Sequence, residues 1–159
     1  LMAEWRVKWS VITQLEAFME GVNVLVPNDL LREFSVNELE LLFNGKKHID
    51  TDEIRAYTIY QGDIKPDSKI CTWFWQVLRE VSVEKKMKLL KFITGSDRVP
   101  LDGFNPPFNI TFGSDMEGGD LPRAHTCFNQ IVLPNYKSYN VMREKCIYAA
   151  ENCEEFVLT

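Results

Sequence analysis

This chain has little of what would point to a metal, a membrane or a nucleic acid. It carries only two histidines, His48 and His125, and four cysteines, Cys71, Cys127, Cys146 and Cys153, with none of the close cysteine pairs that structural zinc sites use. Neither a metal nor a cofactor is expected. The cysteines are too sparse for a disulfide-stapled secreted scaffold, and a chain of 159 residues can bury a core without staples, so reduced thiols are expected. No run approaches the roughly 18 to 20 apolar residues of a membrane span. The first residues also lack the basic start, apolar run and small-residue cleavage site of a secretory signal. Acidic residues outnumber basic ones 23 to 18, and lysine and arginine are not clustered with aromatics, so nucleic acid is not an expected partner. The one basic run, Lys85, Lys86, Lys88 and Lys91 after Glu84, has the spacing of a solvated helix face. These absences set the expectation of a soluble, membrane-free protein of the cytoplasm, with the nucleus also open to it.

What is present is hydrophobic periodicity that changes character along the chain. Trp5, Trp9, Ile12, Leu15, Phe18 and Met19 recur at helical intervals as far as Pro27. Asn28 and Asp29 can then cap a short helix with Leu30, Leu31 and Phe34, and Ser35 with Glu38 forms a capping box for the next. Asn44 and Gly45 end that helix, and the polar stretch 44–47 is the best internal boundary. Residues 1–44 are too few to bury a core alone and read as the tail of a larger domain. Beyond the boundary, Thr51 and Asp52 open a short helix. Ile70, Trp73, Phe74, Val77, Leu78 and Val81 mark another, and Ser82 caps a third whose Val83, Met87, Leu90 and Ile93 face inward until Gly95 stops it. From Arg98 to Leu133 prolines, glycines and short alternations such as Phe108, Ile110 and Phe112 indicate strands. A last helix, preceded by Ser138, carries Met142, Cys146 and Ala149 or Ala150. Helices, then strands with loops, then a closing helix make an α+β domain with a small sheet.

The chemistry concentrates at Leu121-Pro122-Arg123-Ala124-His125-Thr126-Cys127-Phe128-Asn129. A reactive cysteine needs exposure and polar or cationic neighbours. If 124–129 is extended, His125 and Cys127 share one side with Arg123, while Phe128 anchors the other side in the core. The alternative is a buried, inert thiol, the common state of free cysteine, and the residues alone leave both readings open. A cysteine protease is disfavoured because its histidine normally comes from a distant segment, and His125 is next but one to Cys127.

These residues resemble the active-site sequence of HECT-type ubiquitin ligases, at the C-terminal end of their catalytic domain. Leu133-Pro134-Asn135-Tyr136-Lys137-Ser138-Tyr139 follows as the family's Leu-Pro-x-Tyr-x-Ser stretch. Trp73-Phe74-Trp75, the run from Phe92 to Pro100 with Gly103-Phe104, Glu20-Gly21-Val22 with Val26-Pro27, and Glu38 to Leu42 match as well. The resemblance implies that residues 1–44 are the last helices of the family's N-lobe, 45–47 (Gly45, Lys46, Lys47) a hinge, and 48–159 the C-lobe. It implies a transferase in which Cys127 takes ubiquitin as a thioester from a ubiquitin-conjugating enzyme and passes it to a lysine of a protein substrate. His125 and Thr126 would shape the loop and polarise the thioester, Leu121 and Pro122 would position the strand that meets ubiquitin's tail, Arg123 and Phe128 would position ubiquitin or support the loop, and Asn129 would hold the loop. Phe156, fourth from the end, matches a phenylalanine the family uses in transfer to substrate. The conjugating enzyme would dock mostly on sequence upstream of residue 1, so the isolated chain would be inactive or weakly active. Two stretches depart from the family pattern, 105–119 and the ending Phe156-Val157-Leu158-Thr159. The competing reading is a ubiquitin-binding or structural lobe without transfer activity.

Overall fold

The computed structural model describes residues 9–153, so Trp5 and Phe156 lie outside the described residues. The chain divides into two compact units, Leu1–Phe43 and Asn44–Thr159.

In the N-terminal unit, α1 (Ile12–Leu25) and α2 (Asn28–Arg32) are followed by α3 (Val36–Asn44). Pro27 itself is the N-cap of α2, and neither Asn28 nor Asp29 caps it, because both already lie inside the helix. The capping box of α3 is formed: the Ser35 N–H donates to Glu38 Oε2 at 2.7 Å and the Glu38 N–H to Ser35 Oγ at 3.3 Å. Those bonds hold the Glu38 carboxyl below its usual value. Between residues 9 and 43 no described residue is buried, and Trp9, Leu15 and Phe18 are all exposed.

The C-terminal unit opens with α4 (Thr51–Ala56), whose cap is Asp50, with its carboxylate accepting from the N–H groups of Asp52 and Glu53. It continues with β1 (Ile59–Gln61), α5 (Lys69–Glu80), α6 (Val83–Thr94), β2 (Asn109–Phe112), β3 (Arg123–His125), β4 (Gln130–Leu133) and α7 (Tyr139–Asn152). The serines at 68, 82 and 138 each accept an N–H from the first turn of the helix they precede. Gly95, at φ +79, gives α6 the left-handed C-cap that glycine adopts without steric cost.

The strands form one mixed sheet in the order β1-β2-β4-β3. β1, β2 and β4 run parallel, with Tyr60 opposite Ile110 and Ile110 opposite Ile131, while β3 lies antiparallel on the edge of β4. The parallel step from β1 to β2 needs a long crossover, which α5 and α6 supply. Phe74 and Trp75 of α5 meet edge to face at 5.2 Å, and Phe108, just before β2, lies 6.1 Å from the Trp75 ring. Around them Ile110, Ile131 and Leu133 of the sheet, Leu89, Leu90 and Ile93 of α6 and Met142 and Cys146 of α7 are fully buried. Val83 does not join this core: it is 67% exposed, and Leu89 takes the inward position instead. The α+β class read from the sequence is the class observed.

Candidate active site

Cys127 sits at the turned end of the β3–β4 pair. His125 is paired with Gln130 across the antiparallel strands, so the chain must reverse within residues 126–129. It does so through a 3₁₀ turn, Thr126–Phe128, closed by Asn129 at φ +47, a left-handed conformation that asparagine tolerates better than most residues. The expected extended run 124–129 therefore stops at His125. Strand alternation does not carry on to Cys127, and Phe128 is turned outward at 63% exposure instead of anchoring the loop.

Asn129 performs the anchoring. It is itself buried, and three of its polar groups are bonded: its N–H donates to Thr126 O at 3.2 Å, its carbonyl accepts the Asn109 N–H at 2.9 Å, and its side-chain Nδ2 donates to Pro106 O at 2.7 Å. On the other side α6 packs against β3 and the turn, where a Cβ built on Gly95 would lie 3.9 Å from the Thr126 Cβ. The turn is thus held from both sides while its thiol faces outward.

The four thiols differ sharply. Cys71 and Cys146 are buried and Cys153 is half-buried, whereas Cys127 is exposed, and none is in a disulfide. Burial raises the Cys71 thiol and pushes Cys146 up to about 12, leaving both protonated and unreactive at neutral pH. Cys127 is the thiol with both access and a turn built around it.

The other residues of the motif take separate places. Arg123 pairs with Asp115 at 2.9 Å and, by that hydrogen bond, holds the Asp115 carboxyl below its usual value. Both side chains of that pair are largely exposed. His125 and Thr126 are exposed, and neither side chain hydrogen-bonds to Cys127 among the described residues. Such bonds are often loose before substrate is bound. Pro122 is buried, and with Leu121, Phe92, Ala149 and Cys153 it lines an apolar cavity of about 210 Å³. The start of this segment is fixed by the buried Tyr136, whose hydroxyl donates to Asp120 O at 3.1 Å and whose ionisation burial pushes well above its usual range. His48 is exposed and takes no part.

Gly45, Lys46 and Lys47 are not alike. Gly45 is buried at φ +78, with a Cβ there falling 2.5 Å from Val99 O, and Lys46 bridges Val99 through bonds of 2.7 and 3.3 Å. Lys46 also pairs with Glu53 at 2.7 Å, while Lys47 is exposed. A rotation about the Lys46 backbone must break this bridge, whereas one at Gly45 leaves it intact.

Sequence reasoning missed Pro106, Asn109 and Asp115 as supports of the site. The first two act through backbone groups, which leave no side-chain signature, whereas the left-handed preference of Asn129 was a usable signal.

A family model described as HECT-domain (ubiquitin-transferase) matches residues 1–159. The chain belongs to the HECT-domain family. Among curated relatives, E3 ubiquitin-protein ligase RSP5 of Chaetomium thermophilum is 38% identical over 162 residues, covering 98% of this HECT chain and 20% of that protein. E3 ubiquitin-protein ligase NEDD4 of Homo sapiens is 37% identical, with 98% of this chain and 12% of that protein covered, and its Mus musculus counterpart is 37% identical with 98% and 18% covered. The HECT chain therefore spans a fifth or less of the length of these relatives.

Proposed function

We propose that this HECT chain carries the acceptor cysteine of a ubiquitin-protein ligase. The observation that carries the reading is the exposed Cys127 on a turn held from both sides, in a chain whose other thiols are wholly or partly buried. In the first step the Cys127 sulfur attacks the carbonyl of ubiquitin's thioester on a conjugating enzyme. A new S–C bond forms, the donor's S–C bond breaks, and the Cys127 proton passes to the departing thiolate by way of solvent. In the second step a substrate lysine amine attacks the new thioester, forming an amide and releasing the Cys127 thiol. His125, which ends β3, and Thr126, which begins the turn, both precede Cys127 and are exposed, and they are the groups we assign to polarising the thioester. Leu121 and Pro122 offer an apolar contact for ubiquitin's tail, and Arg123, tied to Asp115, lies along the same edge strand.

The wider arrangement is part of the same proposal. Residues 1–44 act as the end of the N-lobe, 48–159 as the C-lobe, and 45–47 as the joint between them. The exposed apolar residues of α1 to α3 suit a face that packs against N-lobe sequence outside this chain, which also supplies most of the docking surface for the conjugating enzyme. Phe156 acts in transfer to substrate. Four free thiols suit a reducing compartment, and we propose the cytoplasm, with the nucleus besides.

Incubating the full-length protein with a ubiquitin-charged conjugating enzyme is expected to give a ubiquitin adduct that reducing agent removes. Persistence of that adduct in Cys127→Ala would overturn the reading. A lobe that only binds ubiquitin would instead form a complex indifferent to Cys127→Ala and give no adduct.

A further inference from the structure

The turn that carries Cys127 is tied to a part of the chain that the active-site sequence does not include. Residues 105–107 form a short strap between Phe104 and Phe108, whose rings lie 5.8 Å apart. Phe108 is buried and stacks near Phe74 at 6.3 Å, and its carbonyl accepts the Ile59 N–H at 2.8 Å, so the strap's C-terminal end is fixed to the core and to β1. From this fixed base the Pro106 carbonyl accepts the Asn129 side-chain amide at 2.7 Å, and the Asn109 N–H reaches the Asn129 carbonyl at 2.9 Å. Within the turn the only closing bond at Asn129 is the longer 3.2 Å contact to Thr126.

We propose that residues 105–107 are a positioning element, in which the Pro106 carbonyl sets the geometry of the Cys127 turn through the Asn129 amide and thereby sets how fast the thiol reacts. Its catalytic consequence rests on the ubiquitin-transfer reading, but its chemical consequence does not. Asn129→Gly keeps the positive φ and removes the side-chain amide that reaches Pro106, while Asn129→Asp keeps the side chain's size and removes only its donor. Asn129→Asp places a carboxylate against the Pro106 carbonyl, which is repulsive. Replacing Pro106 and Pro107 together by glycine loosens the strap and leaves the turn sequence intact.

Two rates test this, each taken at a temperature where thermal unfolding shows every variant folded. The first is alkylation of Cys127 by iodoacetamide in the 159-residue chain, followed by mass spectrometry of the Cys127 peptide, and the second is discharge of ubiquitin to lysine by the full-length protein. Asn129→Gly is expected to change both rates about fivefold, the scale of one hydrogen bond, and Asn129→Asp more. The strap variant should act on both rates like Asn129→Gly, and combining the two should add less than about twofold, because they remove the same link. Effects that multiply, or rates unchanged in folded variants, overturn the proposal. If the strap variant does not fold, the Asn129→Gly and Asn129→Asp pair decides alone, and rates equal to the parent's contradict the proposal. Alkylation that responds while the parent protein forms no thioester would sink the ubiquitin reading and leave the strap standing. A thioester that forms with neither rate responding would sink the strap alone.

Discussion

Both units of the chain are built from apolar stripes, yet they use them differently. From residue 44 onward the stripes of α5, α6 and α7 close on the sheet and bury Phe74, Trp75, Ile93 and Met142 completely. Between residues 9 and 43 the same kind of pattern buries nothing, and Phe18 stays 65% exposed. Periodicity therefore reports that a helix has an apolar face and is silent on what covers it. The C-terminal unit contains its own cover, whereas the helices of residues 9–43 leave their apolar side chains exposed.

The sharpest way to break this comparison is a pair of truncations of like chemistry. Phe74→Ala should cost about 3–5 kcal/mol, the usual loss for a fully buried phenylalanine, read by denaturant unfolding of the chain. Phe18→Ala in the same chain should shift stability by less than about 0.5 kcal/mol, as exposed positions do. Equal losses would mean that the helices of residues 9–43 have a core of their own.

A smaller effect of opposite sign probes the C-terminal unit near its working end. Asn109 is buried on β2, and its side-chain Oδ1 has no hydrogen-bond partner among the described residues. An orphaned buried carbonyl is costly, and valine suits a buried strand, so Asn109→Val should stabilise the chain by about 1 kcal/mol. The backbone N–H that serves Asn129 is kept in that variant. A loss of stability would show that the amide has a structural use.

A further test uses pH. Folding raises the Cys146 thiol from 9.0 to about 12 by burial, so the folded state holds its proton where the unfolded chain releases it. Its contribution is therefore complete below about pH 9 and is lost progressively as pH rises toward 12. The melting temperature should fall across that window, and Cys146→Ala should flatten the fall relative to its own neutral-pH value. An unchanged slope would assign the alkaline loss to other groups.

Much of the fold was legible because its signals are local. Ser82 and Ser138 stand where helices begin, Gly95 stands where one ends, and the stripe of α5 points to its buried face. The site was half legible. The residue types around Cys127 marked the thiol, but the reversal at residues 126–129 depends on the pairing of His125 with Gln130, which is a tertiary fact. Extended alternation therefore misplaced Phe128, and Arg123 found Asp115, a partner in the loop before it. The contacts that hold the turn, from Pro106 and the Asn109 backbone, carry no side-chain identity for a sequence to display.

The central claim is that Cys127 is the acceptor, and the most direct measurement is to locate the ubiquitin. A single-turnover reaction of the full-length protein with charged conjugating enzyme, quenched without reductant and digested for mass spectrometry, should show ubiquitin's carboxyl end joined to the peptide containing Cys127. The label should disappear on adding thiol. A ubiquitin thioester found on Cys71, Cys146 or Cys153, or on no peptide of this chain while transfer to substrate proceeds, would contradict it.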